Sequence, residues 1–126
     1  MRNRILYEIP MFSTLLSEAP NIEFDGMDIS IHLKGYDGDD NFFEVVLKFY
    51  SVFQFVKTYS HFEGPPFSYD RVEEVTDSKI LKKLEERNSL LFEEIKKEGG
   101  LRHFVLLLDS DGGYQIIGKN FEVVEL

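Results

Sequence analysis

Thr76-Asp77-Ser78-Lys79-Ile80-Leu81-Lys82-Lys83-Leu84-Glu85-Glu86-Arg87-Asn88-Ser89-Leu90-Leu91-Phe92-Glu93-Glu94-Ile95-Lys96-Lys97-Glu98-Gly99-Gly100 is the stretch on which the fold turns. Asp77 and Ser78 offer side-chain oxygens to cap a helix N-terminus. Leu81, Leu84, Leu91 and Ile95 then recur on one helical stripe, supported by Ile80 and Phe92. Lys96 and Lys97 suit the negative end of a helix, and Gly99-Gly100 stops it. The spacing predicts one long helix over about 78–98. Asn88 interrupts the stripe, and three readings of it stay open: a polar core residue, a solvent-facing edge position, or the junction of two shorter helices.

The sequence on both sides of this helix reads as β. Met27, Ile29, Ile31 and Leu33 alternate with Asp28, Ser30, His32 and Lys34, the period of two of a strand with one wet face, which turns His32 toward water. Gly35-Tyr36-Asp37-Gly38-Asp39-Asp40-Asn41 supplies turn residues. Phe42 to Tyr50 and Val52 to Tyr59 are aromatic and β-branched, predicting two strands with a bend near Ser51. Gly64-Pro65-Pro66 makes 61–68 a loop, and a short strand follows at about 69–75. Beyond the helix, Phe104 to Leu108 and Tyr114 to Ile117 read as a hairpin, and Gly118-Lys119-Asn120 as a bulge or bend before a last strand from Phe121. Phe42, Val46, Tyr50, Val105 and Leu107 point away from the obvious apolar faces, so both sheet faces need cover. The expectation is a single α+β domain over 1–126: an antiparallel sheet of about five to six strands with the long helix packed on one face. The first twenty residues, broken by Pro10 and Pro20, give no readable period.

Composition narrows the function. A chain of 126 residues with 43% hydrophobic content, twelve Phe and six Tyr has ample material for one core. It has no cysteine, which excludes disulfides and thiolate metal sites and fits a reducing, cytoplasmic location. No apolar run approaches the roughly 18 residues needed to cross a bilayer. The formal charge is -9. Much of the excess lies in one stretch, where Glu18, Glu23, Asp25, Asp28, Asp37, Asp39, Asp40 and Glu44 stand against Lys34 alone. Such a surface repels phosphate backbones, so neither DNA nor RNA is an expected partner.

The C-terminal half carries a further pattern. The Asp77-Ser78 helix start, the charged helix, Gly100-Leu101-Arg102-His103-Phe104, Asp109-Ser110-Asp111, Ile116-Ile117 and Phe121-Glu122-Val123-Val124 resemble small bacterial domains of uncharacterised function. Some of those are encoded beside toxins and regarded as immunity proteins. The resemblance covers about residues 70–126. It implies a small antiparallel α+β domain and carries over no catalytic residue.

No serine elbow, phosphate loop, zincin helix or dinucleotide fingerprint is present. Asp37, Asp39 and Asn41 match the first ligand positions of a calcium loop, but Phe42 stands where glycine should and Lys48 where a bidentate glutamate should. The segment therefore reads as a hairpin turn. His61 and Glu63, paired with His103 or Asp70, are the candidate metal or acid–base group. His103, on the parity of Val105 and Leu107, is expected instead to be a hydrogen-bonded structural histidine. The expected function is non-enzymatic binding of a basic protein partner through Asp25, Asp28, Asp37, Asp39, Asp40 and Glu44, with no cofactor and no metal. An immunity protein facing a basic toxin is its sharpest form. The alternatives are a ligand or catalytic pocket lined by His61, Glu63, Tyr69 and Asp70, and a homodimer joined through the second sheet face.

Overall fold

A computed structural model describes residues 2–59, 68–109 and 111–126. Among them the chain forms nine strands and two short helices: β1 Asn3–Glu8, β2 Asn21–Asp25, β3 Asp28–Tyr36, β4 Phe42–Tyr50, β5 Gln54–Thr58, β6 Arg71–Val75, α1 Lys79–Arg87, α2 Ser89–Lys97, β7 Arg102–Leu108, β8 Gly112–Gly118 and β9 Asn120–Glu125. The strands make two antiparallel sheets, ordered β1-β6-β7-β8-β5 and β2-β3-β4-β9. This overturns the single sheet covered by a long helix. The core lies between two sheets, and a sheet does the covering that the sequence assigns to a helix.

One antiparallel ribbon joins the two layers. β4 pairs with β9 in the four-stranded sheet, and their continuations β5 and β8 pair with each other in the five-stranded sheet. The ribbon therefore folds across the molecule at Ser51-Val52-Phe53 on one strand and Gly118-Lys119 on the other. Ser51 takes φ 52°, and its N–H donates to Asp28 Oδ1 at 3.0 Å. Val52 N–H donates to the Met27 carbonyl and Phe53 N–H to that of Ile117, both at 2.7 Å, and Lys119 N–H donates to Tyr50 O at 2.9 Å. The bends expected at Ser51 and at 118–120 are thus corners between sheets.

Strand alternation fills the interior. Ile31 and Leu33 of β3 and Val45, Leu47 and Phe49 of β4 face Phe104, Leu106, Leu108, Tyr114 and Ile116 of β7 and β8. Phe49 lies between Phe104, 5.5 Å away, and Phe121, 5.1 Å away. One side of the sandwich is closed by the Tyr7 hydroxyl donating to Glu125 Oε1 at 2.9 Å, which links β1 to β9. The other is closed by Phe24 of β2 meeting Phe55 of β5 edge-on at 5.8 Å. Within the larger sheet Arg102 grips Glu74 with two hydrogen bonds of 2.8 and 2.9 Å, and Arg4 binds the same carboxylate, tying β7, β6 and β1 together.

The helical stretch breaks at Asn88, which adopts φ -129° and ψ 44°. Its side-chain Nδ2 donates to Leu84 O at 3.1 Å, and its own N–H donates to the same carbonyl. The amide side chain thus competes for the helix's last acceptors and ends α1, the known conflict of Asn with a helix interior. Of the three readings of Asn88, the junction is the one observed. α1 buries no residue fully and α2 buries only Phe92, which packs edge-on against Phe53 at 5.5 Å. The pair covers the outward face of the larger sheet near His103 and Ile117, both buried.

Gly112 and Gly26 both occupy positive φ, at 105° and 60°. A Cβ on Gly112 would lie 2.1 Å from the Thr58 carbonyl oxygen, whereas one on Gly26 would meet nothing within 4 Å. Gly112→Ala is expected to cost about 3 kcal/mol or more. Gly26→Ala should cost only the left-handed strain of about 1 kcal/mol. Urea unfolding followed by tyrosine fluorescence compares the two, and equal losses would contradict the packing described at Gly112.

Candidate functional site

The acidic residues frame the outward face of the four-stranded sheet. Asp25 and Asp28 are directly paired across the β2–β3 turn. At the far end of β3, Asp37 is consumed by the turn: its carboxylate accepts Asp39 N–H at 2.8 Å, Asn41 N–H at 3.0 Å and Asn41 Nδ2 at 3.0 Å. Donation from the Asn41 side chain and backbone, with Asp39, holds the Asp37 carboxyl below its ordinary value. The arrangement is an Asx-type hairpin turn. Asp39 and Asp40 remain exposed on it. Glu44 lies between the two ends, 2.8 Å from His32 Nε2 and 3.8 Å from Lys34 Nζ. Since β3 has nine residues, the two Asp groups are about 27 Å apart and do not form one cluster.

Strand register assigns the rest of that face. Glu23, Ser30, Lys48 and Glu122 line up across β2, β3, β4 and β9, and His32, Val46 and Val124 form the next row. Carboxylates at Glu23, Asp25, Asp28, Glu44 and Glu122 are set against Lys34 and Lys48. Val46, Tyr50 and Val124 are half-buried, the state of side chains on an open sheet face. His32 points outward as expected, although Glu44 shields it. At the hairpin end, Tyr36 and Phe42 pack edge-on at 5.3 Å and stay about half exposed.

The alternative pocket is only partly assembled. His61 and Glu63 lie outside the described residues. Tyr69 and Asp70, together with Glu8, Met11, Phe12 and Arg71, line a cavity of about 270 Å³. Asp70 adopts φ 62°; its Oδ2 accepts Ser13 N–H at 3.2 Å, and its Oδ1 is buried with no hydrogen-bond partner among the described residues. Asp70 N–H binds the Leu107 carbonyl, which is four residues along β7 from His103, about 13 Å. Asp70 and His103 therefore do not meet. Among the described residues, no three His, Asp or Glu side chains come together in a way that could hold a metal ion.

His103 is built into the scaffold. It projects from the outward face of β7 and is 3% exposed. Its Nδ1 lies 2.7 Å from Ser78 Oγ, and its Nε2 lies 3.0 Å from Gln115 Oε1. Ser78 in turn caps α1 by accepting Leu81 N–H at 3.0 Å. A neutral imidazole fits this chain: Nε2–H donates to Gln115, Nδ1 accepts the serine proton, and the serine oxygen keeps its lone pairs for the helix. Burial pushes the imidazole below its ordinary value of 6.5, with the Gln115 hydrogen bond opposing.

Sequence reading missed an apolar groove at the folded corner of the ribbon. Met27, Ser51, Phe53, Leu91, Ile95, Leu101 and Lys119 line a space of about 330 Å³. Met27 is 63% and Leu91 49% exposed, high values for apolar residues placed side by side. The available signal was Met27 beside Gly26, a large apolar residue at a turn. Comparison with protein-family models, with curated proteins and with solved structures finds no match to this chain.

The His103 environment sets a pH dependence. In the unfolded chain the imidazole protonates at its ordinary value of 6.5, and in the folded chain only at a lower pH. Just below 6.5 the unfolded state thus binds more protons. The contribution is present in full above that pH and falls on acidification, by at most about 1.4 kcal/mol per pH unit. Urea midpoints measured from pH 7.5 downward should fall through this window, and His103→Gln, although less stable overall, should lose that part of the slope. An unchanged slope in the variant would contradict the buried neutral histidine.

Proposed function

We propose that this chain is a protein-binding domain whose partner is basic, met by the outward face of the four-stranded sheet. The observation that carries the reading is the segregation of charge. Glu23, Asp25, Asp28, Glu44 and Glu122 occupy that face, with Asp39 and Asp40 at its end, around half-exposed Val46, Tyr50 and Val124. The other sheet pairs its ions internally: Arg4 and Arg102 with Glu74, Lys57 with Asp111 at 3.2 Å, and Arg71 with Glu8 at 3.7 Å. An acidic face around a modest apolar centre attracts a cationic protein over distance and holds it by contact.

The sharpest form of the reading is an immunity protein that neutralises a basic toxin, the role that the C-terminal resemblance implies. Inhibition would then be occlusion. Carboxylates spread over about 27 Å match the footprint of a cationic active-site cleft better than that of a single ligand.

Capture from the native lysate tests the reading. A basic protein should be retained at stoichiometric level at low salt and released at raised salt. Glu23→Lys combined with Asp39→Lys replaces two exposed carboxylates that support no core contact, and should slow association about tenfold at low salt while leaving thermal stability nearly unchanged. Recovery of the chain alone, or equal association rates for both proteins, would remove this reading.

A further inference from the structure

The hairpin end of the acidic face carries rings as well as carboxylates. Antiparallel register sets Tyr36 directly opposite Phe42, and the period of two places both on the outward face, two positions beyond Lys34 and Glu44. The two rings pack edge-on with centroids 5.3 Å apart, and each stays about half exposed. A third half-exposed ring, Phe12, is tied to the same end: its N–H donates to Tyr36 O at 3.1 Å, and a Cβ on Gly38 would lie 3.2 Å from its ring. Contiguous aromatic carbon left in water at one place marks a contact surface. Asp39 and Asp40 stand on the turn that joins the two strands, and both are exposed. The bonds of the Asp37 carboxylate to Asn41 and to Asp39 N–H fix that turn, so these two acids stay within a few residues of the rings. Among the described residues neither Asp39 nor Asp40 has an ion-pair partner, and Lys34, two positions from Tyr36, is already shared between Glu18 and Glu44.

Open ring faces beside uncancelled carboxylates are complementary to a flat, weakly hydrated cation. We infer that an arginine side chain of the basic partner lies on the Tyr36–Phe42 pair and donates to the carboxylates of Asp39 and Asp40. The ring face attracts the guanidinium, and the carboxylates take its N–H groups. A lysine ammonium is more strongly hydrated and has no plane to lay against a ring, so it gains less at the same place. Charge decides against a purely apolar side chain, which would desolvate two carboxylates without pairing them. It also decides against a second copy of this chain, because a two-fold contact would bring two acidic turns of a chain of charge -9 face to face. The inference rests on the basic partner proposed above and adds which residue type anchors that partner and at which end of the face.

The test uses the full chain and two Gly/Ser peptides of equal length and equal charge, one with arginines and the other with lysines at the same positions. The arginine peptide should bind about three- to fivefold more tightly at low salt and shift the ring NMR signals of Tyr36 and Phe42. Tyr36→Leu and Phe42→Leu, each at a half-exposed strand position, keep every charge and much of the apolar area but remove a ring face. Each should bring the two peptides to nearly equal affinity, with thermal unfolding as the check on folding. Equal affinity for the native chain would show attraction by charge alone and remove the ring platform while leaving the basic-partner reading intact. An arginine preference that survives both substitutions, ring signals that do not move, or no binding of either peptide would also remove it. So would a dimer in solution that Phe42→Leu dissociates, because the occupant would then be a second copy. The leucine variants leave all the carboxylates in place, whereas Glu23→Lys with Asp39→Lys leaves the rings in place, so the two proposals fail separately.

Discussion

The rest of the structure depends on the fold in the β4–β5 and β8–β9 ribbon. A strand pair that stayed straight would leave Phe49, Phe104, Phe121 and Ile116 on one broad sheet with nothing opposite them. Folding the pair at Ser51 and Gly118 turns one half back over the other, so that the same two strands contribute to both walls of the core. The turn is tight enough to force Ser51 to φ 52°, a conformation that disfavours L-residues by about 1 kcal/mol. Four hydrogen bonds hold it: Asp28 to Ser51, Met27 to Val52, Ile117 to Phe53 and Tyr50 to Lys119. Three of these come from backbone carbonyls of strand residues or of a turn residue beside a strand. The corner is therefore fixed by the two sheets that it joins.

This geometry also explains the place of the helices. With the core closed by sheet on sheet, α1 and α2 are left to cover part of an outer face, which needs only a narrow apolar stripe. Ser78 locks the start of α1 to β7 through His103, and Phe92 locks α2 to the corner through Phe53. Near the second anchor Leu91, Ile95 and Leu101 stand beside Met27 and Phe53 without closing on them. The groove is what remains when a short helix is set against a bent ribbon.

The sequence made the strands of the central hairpins legible because their alternation is undisturbed. Ile29, Ile31 and Leu33 turn inward and Asp28, Ser30, His32 and Lys34 outward, as the period of two requires. The N-terminal strands were illegible for physical reasons. β1 is an edge strand with a bulge between Ile5 and Tyr7, which shifts its alternation, and Ile5 is 49% exposed. β2 has five residues and leaves Phe24 66% exposed. The long helix was over-read because the leucine stripe runs on either side of Asn88, and the stripe alone cannot show that an amide side chain has taken a helix carbonyl. The break has a larger consequence: without a long helix the core needs a second sheet, and β1, β2 and the corner supply it. The candidate acidic residues were legible as a group in sequence, but their separation along β3 was not, since a hairpin sets neighbours in sequence at opposite ends of a strand.

The placement of charge follows from the same architecture. In the five-stranded sheet the ionic side chains sit among neighbours on the adjacent strand, so Glu74 meets Arg4 and Arg102, and the guanidinium of Arg102 holds that carboxyl below its ordinary value. A paired ion is neutral from a distance. The two helices interleave Lys and Glu along their surfaces, with Lys96 near Glu85 and Lys97 near Glu94, and likewise cancel. The four-stranded sheet has too few cations for its carboxylates, with Lys34 already shared between Glu18 and Glu44. The uncancelled charge is thus gathered on one face. Self-repulsion there works against the compact state, while paired ions and apolar packing hold the opposite wall. A protein arranged in this way gives up a little stability at the face where a cationic partner would relieve the repulsion, and binding there would stabilise the fold by the same free energy that holds the complex together.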